Sequence, residues 1–136
     1  MNRTIIILLV LLAAATTVKA QDYEGSKDHV LFGRLKGYTI TDYYTEDPGE
    51  HSFKTGLTES VKIEGFLTYI YYDREGKTTP SAVIESHSNM IKSAGGRVIH
   101  TYGGNQATLT LKKGGKEYWI DLYAGETCYC LTIIEK

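Results

Sequence analysis

Only two prolines, two cysteines and one tryptophan occur in 136 residues, and neither sign of charge dominates. So little proline excludes a proline-rich linker or a collagen-like repeat, and two cysteines cannot make a disulfide-stapled scaffold. Fifteen Lys and Arg stand against 16 Asp and Glu, a formal net charge of −1. No run of basic residues tracks a phosphate backbone, so nucleic acid is not an expected partner. Internal repeats and low-complexity tracts are missing as well. What remains is the composition of one ordinary globular domain, with 11 tyrosines as its single excess.

The one long apolar run lies at the amino terminus. Met1-Asn2-Arg3 leads into Ile5 through Ala15, and Val18-Lys19-Ala20 closes the segment with small residues. This is the pattern of a secretory signal peptide over residues 1–20, with cleavage expected before Gln21. The run is shorter than the ~20 apolar residues a membrane span needs, so no transmembrane segment is expected in the mature chain. Residues 21–37 are polar and glycine-punctuated and read as an arm docking through Val30-Leu31-Phe32. Residues 38–136 read as a single domain.

Within that domain, Tyr38 to Tyr44 and His51 to Lys54 suit two short strands joined by the turn residues Asp47-Pro48-Gly49. From Val61 to Asp73 a strand places Val61, Ile63, Leu67, Tyr69 and Tyr71 on one face, the expected core face. Phe66, Ile70 and Tyr72 make its other face partly apolar, and Gly65 suggests a bulge or a close approach by the following helix. Thr79-Pro80 opens that helix and Gly95 ends it. Between them Val83, Ile84, His87, Ile91 and Ala94 recur at helical spacing.

Four strand-like runs follow, Arg97 to Tyr102, Gln106 to Lys113, Lys116 to Tyr123 and Thr127 to Glu135. A two-residue turn at Gly114-Gly115 sets Leu111 opposite Tyr118, Leu109 opposite Ile120 and Ala107 opposite Leu122. Thr110 then faces Trp119 and Thr108 faces Asp121 on a half-polar surface. The same beat brings Tyr129, Leu131 and Ile133 to the core and turns the cysteines away. The expected architecture is α+β, a two-layer sandwich of mainly antiparallel sheet with one amphipathic helix, ordered β-β-β-α-β-β-β-β.

Chemistry-bearing residues are sparse. His29, His51, His87 and His100 are scattered one per element, without metal-ligand spacing. Ser86-His87-Ser88 lacks a nucleophile elbow, and His87 on the buried stripe reads as a core histidine. Cys128 and Cys130 point to one side of a strand, with Cα atoms about 6 to 7 Å apart. Inert thiols come ahead of a disulfide within or between chains, and half of a metal site comes last. No catalytic, cofactor-binding or metal-binding residue is assigned, and no cofactor is expected. The candidate contact patch is Trp119, Asp121 and Tyr123, because aromatic rings beside a carboxylate suit a protein or glycan partner.

Four segments together carry a resemblance: Glu24-Gly25-Ser26-Lys27-Asp28-His29, Val61-Lys62-Ile63-Glu64-Gly65, Asn89 through Gly96, and Leu131-Thr132-Ile133-Ile134-Glu135. They resemble the amino-terminal domain that precedes the peptidoglycan-binding module in some OmpA-family envelope proteins. The resemblance implies a periplasmic or outer-membrane-associated protein of a Gram-negative bacterium. It brings no catalytic residues, and the peptidoglycan-binding module has no counterpart in this sequence. The leading expectation is a non-catalytic envelope interaction module whose partner is an envelope protein or a cell-wall component. A small-ligand or glycan-binding domain with a pocket between helix and sheet is the second reading, and an enzyme the third.

Overall fold

Six antiparallel strands form one sheet, and its two faces are covered by different means. The computed structural model describes residues 21–136, so the expected signal peptide lies outside the described residues. The strands are β1 (Tyr38–Lys54), β2 (Ser60–Arg74), β3 (Arg97–Tyr102), β4 (Gln106–Lys113), β5 (Lys116–Ala124) and β6 (Cys128–Glu135). The one helix, α1 (Pro80–Ser93), joins β2 to β3, and the sheet order is β1-β2-β6-β5-β4-β3. This is the expected α+β architecture with six strands in place of seven.

The missing strand has a local cause. Asp47-Pro48-Gly49 does not turn the chain; it forms an irregularity within β1, where the pairing with β2 shifts between Glu46 and Gly49. Proline and glycine disturb a ladder at a bulge as readily as they end it. The Gly114-Gly115 hairpin has the expected register throughout, from Lys113 opposite Lys116 to Ala107 opposite Leu122. Both glycines have positive φ, which the tight turn requires.

The front face holds the main core. Leu109, Leu111, Ile120, Leu122, Leu131 and Ile133 are buried there with Val83, Ile84 and Ile91 of α1. The helix packs over β3, β4 and β5. Over the rest of that face lies the amino-terminal arm, docked by Leu31, Phe32 and Leu35; Val30, expected to dock with them, is exposed. Arg34 ties the arm down, with a two-pronged contact to Asp22 at 2.7 and 2.6 Å and a further bond to Asp28 at 3.1 Å. Asp28 also accepts the Tyr72 hydroxyl at 2.6 Å. Ala94, expected on the buried stripe, is exposed at the helix end, whereas Ser88 is buried.

The long strand β2 reverses the expected assignment of its faces. Ile70 and Tyr72 enter the front core, with Tyr72 fully buried, while Ile63 and Leu67 belong to a second cluster behind the sheet. That cluster, Phe53, Ile63, Leu67 and Ile134 with Val61, Tyr69 and Trp119 beside it, forms because the far end of the β1–β2 hairpin curls over the back. The curl begins where β6 stops. Phe66 is the last β2 residue paired with β6, opposite Glu135, and the next rung of the hairpin pairs Gly65 with Gly49. A Cβ on Gly65 would sit 2.3 Å from the Glu135 carbonyl oxygen, and one on Gly49 would sit 2.5 Å from the Leu67 Cβ. Gly65 does mark a close approach, but the neighbour is the end of β6 and not the helix.

Candidate functional site

Alternation along the strands sends three successive rungs of side chains to the back face. Leu67, Ile134, Trp119 and Thr110 make one rung across β2, β6, β5 and β4; Tyr69, Thr132, Asp121 and Thr108 make the next; Tyr71, Cys130, Tyr123 and Gln106 make the third. The hairpin end covers the first. Phe53 lies 5.7 Å from Trp119, ring to ring, and the Lys54 ammonium stands 4.7 Å over the Tyr102 ring at the far edge. Trp119 is therefore half-buried, its indole N–H donating to Glu117 at 2.7 Å.

The middle rung carries the polar contact. Nε2 of His51, on β1, is 2.9 Å from Oδ2 of Asp121, and the Gln106 amide donates to Oδ1 at 3.1 Å. Both carboxylate oxygens thus have partners, and the His51 ring stands edge-on to Phe53 at 4.8 Å. This arrangement joins hairpin to sheet. Seventy positions separate His51 from Asp121, so only the curl brings them together.

The third rung and its surroundings stay open. Tyr123 is 49% exposed and Tyr44 is 44% exposed, and Tyr44 stacks on Tyr69 at 4.9 Å. Cys128 and Cys130 are free and half-buried on this face. Burial, then the charge of Asp121 and the neighbouring Cys128, pushes the Cys130 thiol up to about 11. Burial and the adjacent Cys130 push the Tyr69 phenol up to about 12, and a hydrogen bond with Cys128 raises Tyr71 still further above its ordinary value. Around neutral pH these groups are neutral donors.

Trp119, Asp121 and Tyr123 do share a face, but not one open patch: the first sits beneath Phe53, the second is engaged by His51 and Gln106, and only Tyr123 is free. Tyr69 and Tyr71, assigned to the helix-side core, belong here instead. Sequence reasoning missed Tyr44 and Tyr69 as a stacked pair and His51 as the partner of Asp121. Tyr43, the neighbour of Tyr44 in β1, points the other way and packs against the front core.

His87 is in the front core as expected, its Nδ1 2.8 Å from the Val83 carbonyl oxygen and its ring against Phe32 and Tyr129. Burial lowers its pKa, favouring the neutral ring. Val83, Ile84, His87 and Ile91 of α1 are buried against the sheet. Clefts open elsewhere: one of about 400 Å³ at the end of the helix, beside Gly96, Thr110 and Trp119, and one of about 470 Å³ between the arm and the hairpin, beside His29, Phe66 and Thr68. Among the described residues no three His, Cys, Asp or Glu side chains gather into a metal-binding group, and no helix is long and apolar enough to cross a membrane. No protein-family model matches the chain, and no curated protein matches it significantly.

Proposed function

We propose that the protein is a non-catalytic interaction module of the cell envelope, exported to the periplasm, which meets its partner through the open aromatic half of the back face. The observation that carries this reading is the exposed tyrosine surface, Tyr44 stacked on Tyr69 with Tyr123 across the sheet. Tyrosines give flat apolar area with a polar rim at small entropic cost, a property of contact surfaces. The groups best suited to catalysis are otherwise engaged. His51 and Asp121 hold the hairpin to the sheet, and Cys130 is driven toward the protonated thiol, the wrong direction for a nucleophile. The signal-peptide pattern and the OmpA-associated resemblance support the compartment.

The protein, immobilised and exposed to a solubilised Gram-negative envelope extract, is expected to retain a defined envelope protein, and Tyr44→Ser/Tyr123→Ser is expected to lose it. Equal retention by both would refute the proposed face. A second reading, glycan binding, draws on the parallel Tyr44–Tyr69 stack near the polar Thr132 and Asp121 rung. Soluble cell-wall glycan fragments are the probe for it; a change in tyrosine emission lost in the same double variant would select it over the protein partner.

A further inference from the structure

The cysteine pair lies beside this surface but contributes little to aromatic contact. We propose that Cys128 and Cys130 form a two-coordinate clip for a soft monovalent cation of the Cu(I) class. Both side chains project from the back face, one rung apart on β6, where Cys128 pairs with Asp73 of β2 and Cys130 with Tyr71 of β2 and Tyr123 of β5. Cys130 is thus held by strands on both sides, and Cys128 is further fixed by the bond its carbonyl accepts from the Gly125 N–H at 2.9 Å. In an extended strand the two Cα atoms stand about 6 to 7 Å apart, at or beyond the long end of disulfide spans. Closing the pair would require breaking a ladder that is bonded on both sides. An ion seated between the sulfurs needs no such bend.

Donor number and softness select the occupant. Zinc in a structural site takes four ligands, and among the described residues no third or fourth His, Cys, Asp or Glu joins these two. The nearest carboxylate in register, Asp73, accepts the Thr41 hydroxyl at 2.6 Å. Hard cations prefer oxygen, whereas thiolates alone suit Cu(I) and its heavier congener Ag(I). On binding, each S–H bond breaks, each proton passes to solvent and two metal–sulfur bonds form, with no change of oxidation state. The pair loses two units of positive charge and gains one. Tyr71, opposite Cys130 on β2, and Tyr69 one rung further along set phenol side chains on the same face as the sulfurs.

The full chain, reduced under argon, is titrated with Cu(I) against a chromophoric Cu(I) chelator. One ion per chain is expected. Cys128→Ser and Cys130→Ser should each weaken binding by about 100-fold or more, and the release of two protons should strengthen it by up to about 100-fold per pH unit around neutrality. Far-ultraviolet dichroism of the serine variants separates lost ligands from lost fold, and Ag(I) titration of the same variants gives an air-stable second reading. Equal Cu(I) retention by wild type and the double serine variant overturns the proposal. So does a single variant that binds like wild type, or rapid conversion of the reduced chain in air to an internal Cys128–Cys130 disulfide, detected as loss of two hydrogens by mass.

Discussion

The two faces of this sheet solve the same burial problem by different routes. The front is closed by separate pieces of chain, a helix over β3 to β5 and an arm over the remainder, and its core is one continuous cluster of aliphatic and aromatic side chains. The back is closed by the sheet itself, bent at paired glycines so that one hairpin end covers a small cluster around Phe53 and Trp119. A separate roof can cover a whole face, whereas a bend covers only as far as the bent strands reach. The uncovered remainder is where Tyr44, Tyr69, Tyr123 and the two cysteines lie.

This contrast can be broken most forcefully from the front. Ile120→Ala, at a fully buried position, should cost about 4 kcal/mol and melt both faces in one transition, because β5 serves both; denaturant unfolding followed by dichroism and fluorescence checks that the two probes coincide. Gly65→Val strikes the bend itself. Its Cβ would collide with the Glu135 carbonyl, so a loss of about 3 kcal/mol is expected, together with a red shift of Trp119 emission as the hairpin end lifts. Since Trp119 is the only tryptophan, its fluorescence reports the back face alone. Phe53→Leu should cost about 1 kcal/mol, shifting Trp119 emission while the helical dichroism holds.

The smallest effect expected is a pH dependence confined to the front. Burial lowers the His87 pKa below its ordinary 6.5, so below that pH the unfolded chain takes up a proton that the folded chain resists. Its contribution to stability is therefore complete above about pH 6.5 and declines as pH falls through the lowered folded value. Denaturation midpoints at about pH 7.5 and 5.5 should diverge in the wild type and converge in His87→Gln. Convergence remains partial because His29, also lowered by burial, acts with the same sign. An unchanged slope in His87→Gln would remove His87 from the account.

Legibility followed how many surfaces each strand serves. In β4 and β5 one face is apolar and the other mixed, so the pairing of Leu109 with Ile120 and Thr108 with Asp121 could be read directly. The helix was equally plain, because Pro80 at its start, Gly95 just past its end and the Val83, Ile84, His87 and Ile91 stripe agree, although Thr79 makes no side-chain cap bond. In β2 both faces are apolar: Ile70 and Tyr72 serve the front, while Ile63 and Leu67 serve the back. Alternation fixes which residues share a face, not which face meets the helix. At the candidate site, parity grouped Trp119, Asp121 and Tyr123 correctly, but their accessibility depends on His51 and Phe53 arriving from the other end of the fold. Pro48-Gly49 carries the composition of a turn, and only the ladder around it distinguishes a bulge from a reversal.

The strand order has a consequence for how the chain acquires this structure. β6 follows every other element in sequence yet lies between β2 and β5. Until it inserts, the β1–β2 hairpin and the β3–β4–β5 meander are two half-sheets with no ladder between them. Such late, long-range closure makes for slow folding and for intermediates prone to stick to one another. A holding chaperone would have its greatest effect in the interval before Cys128 to Glu135 take their place.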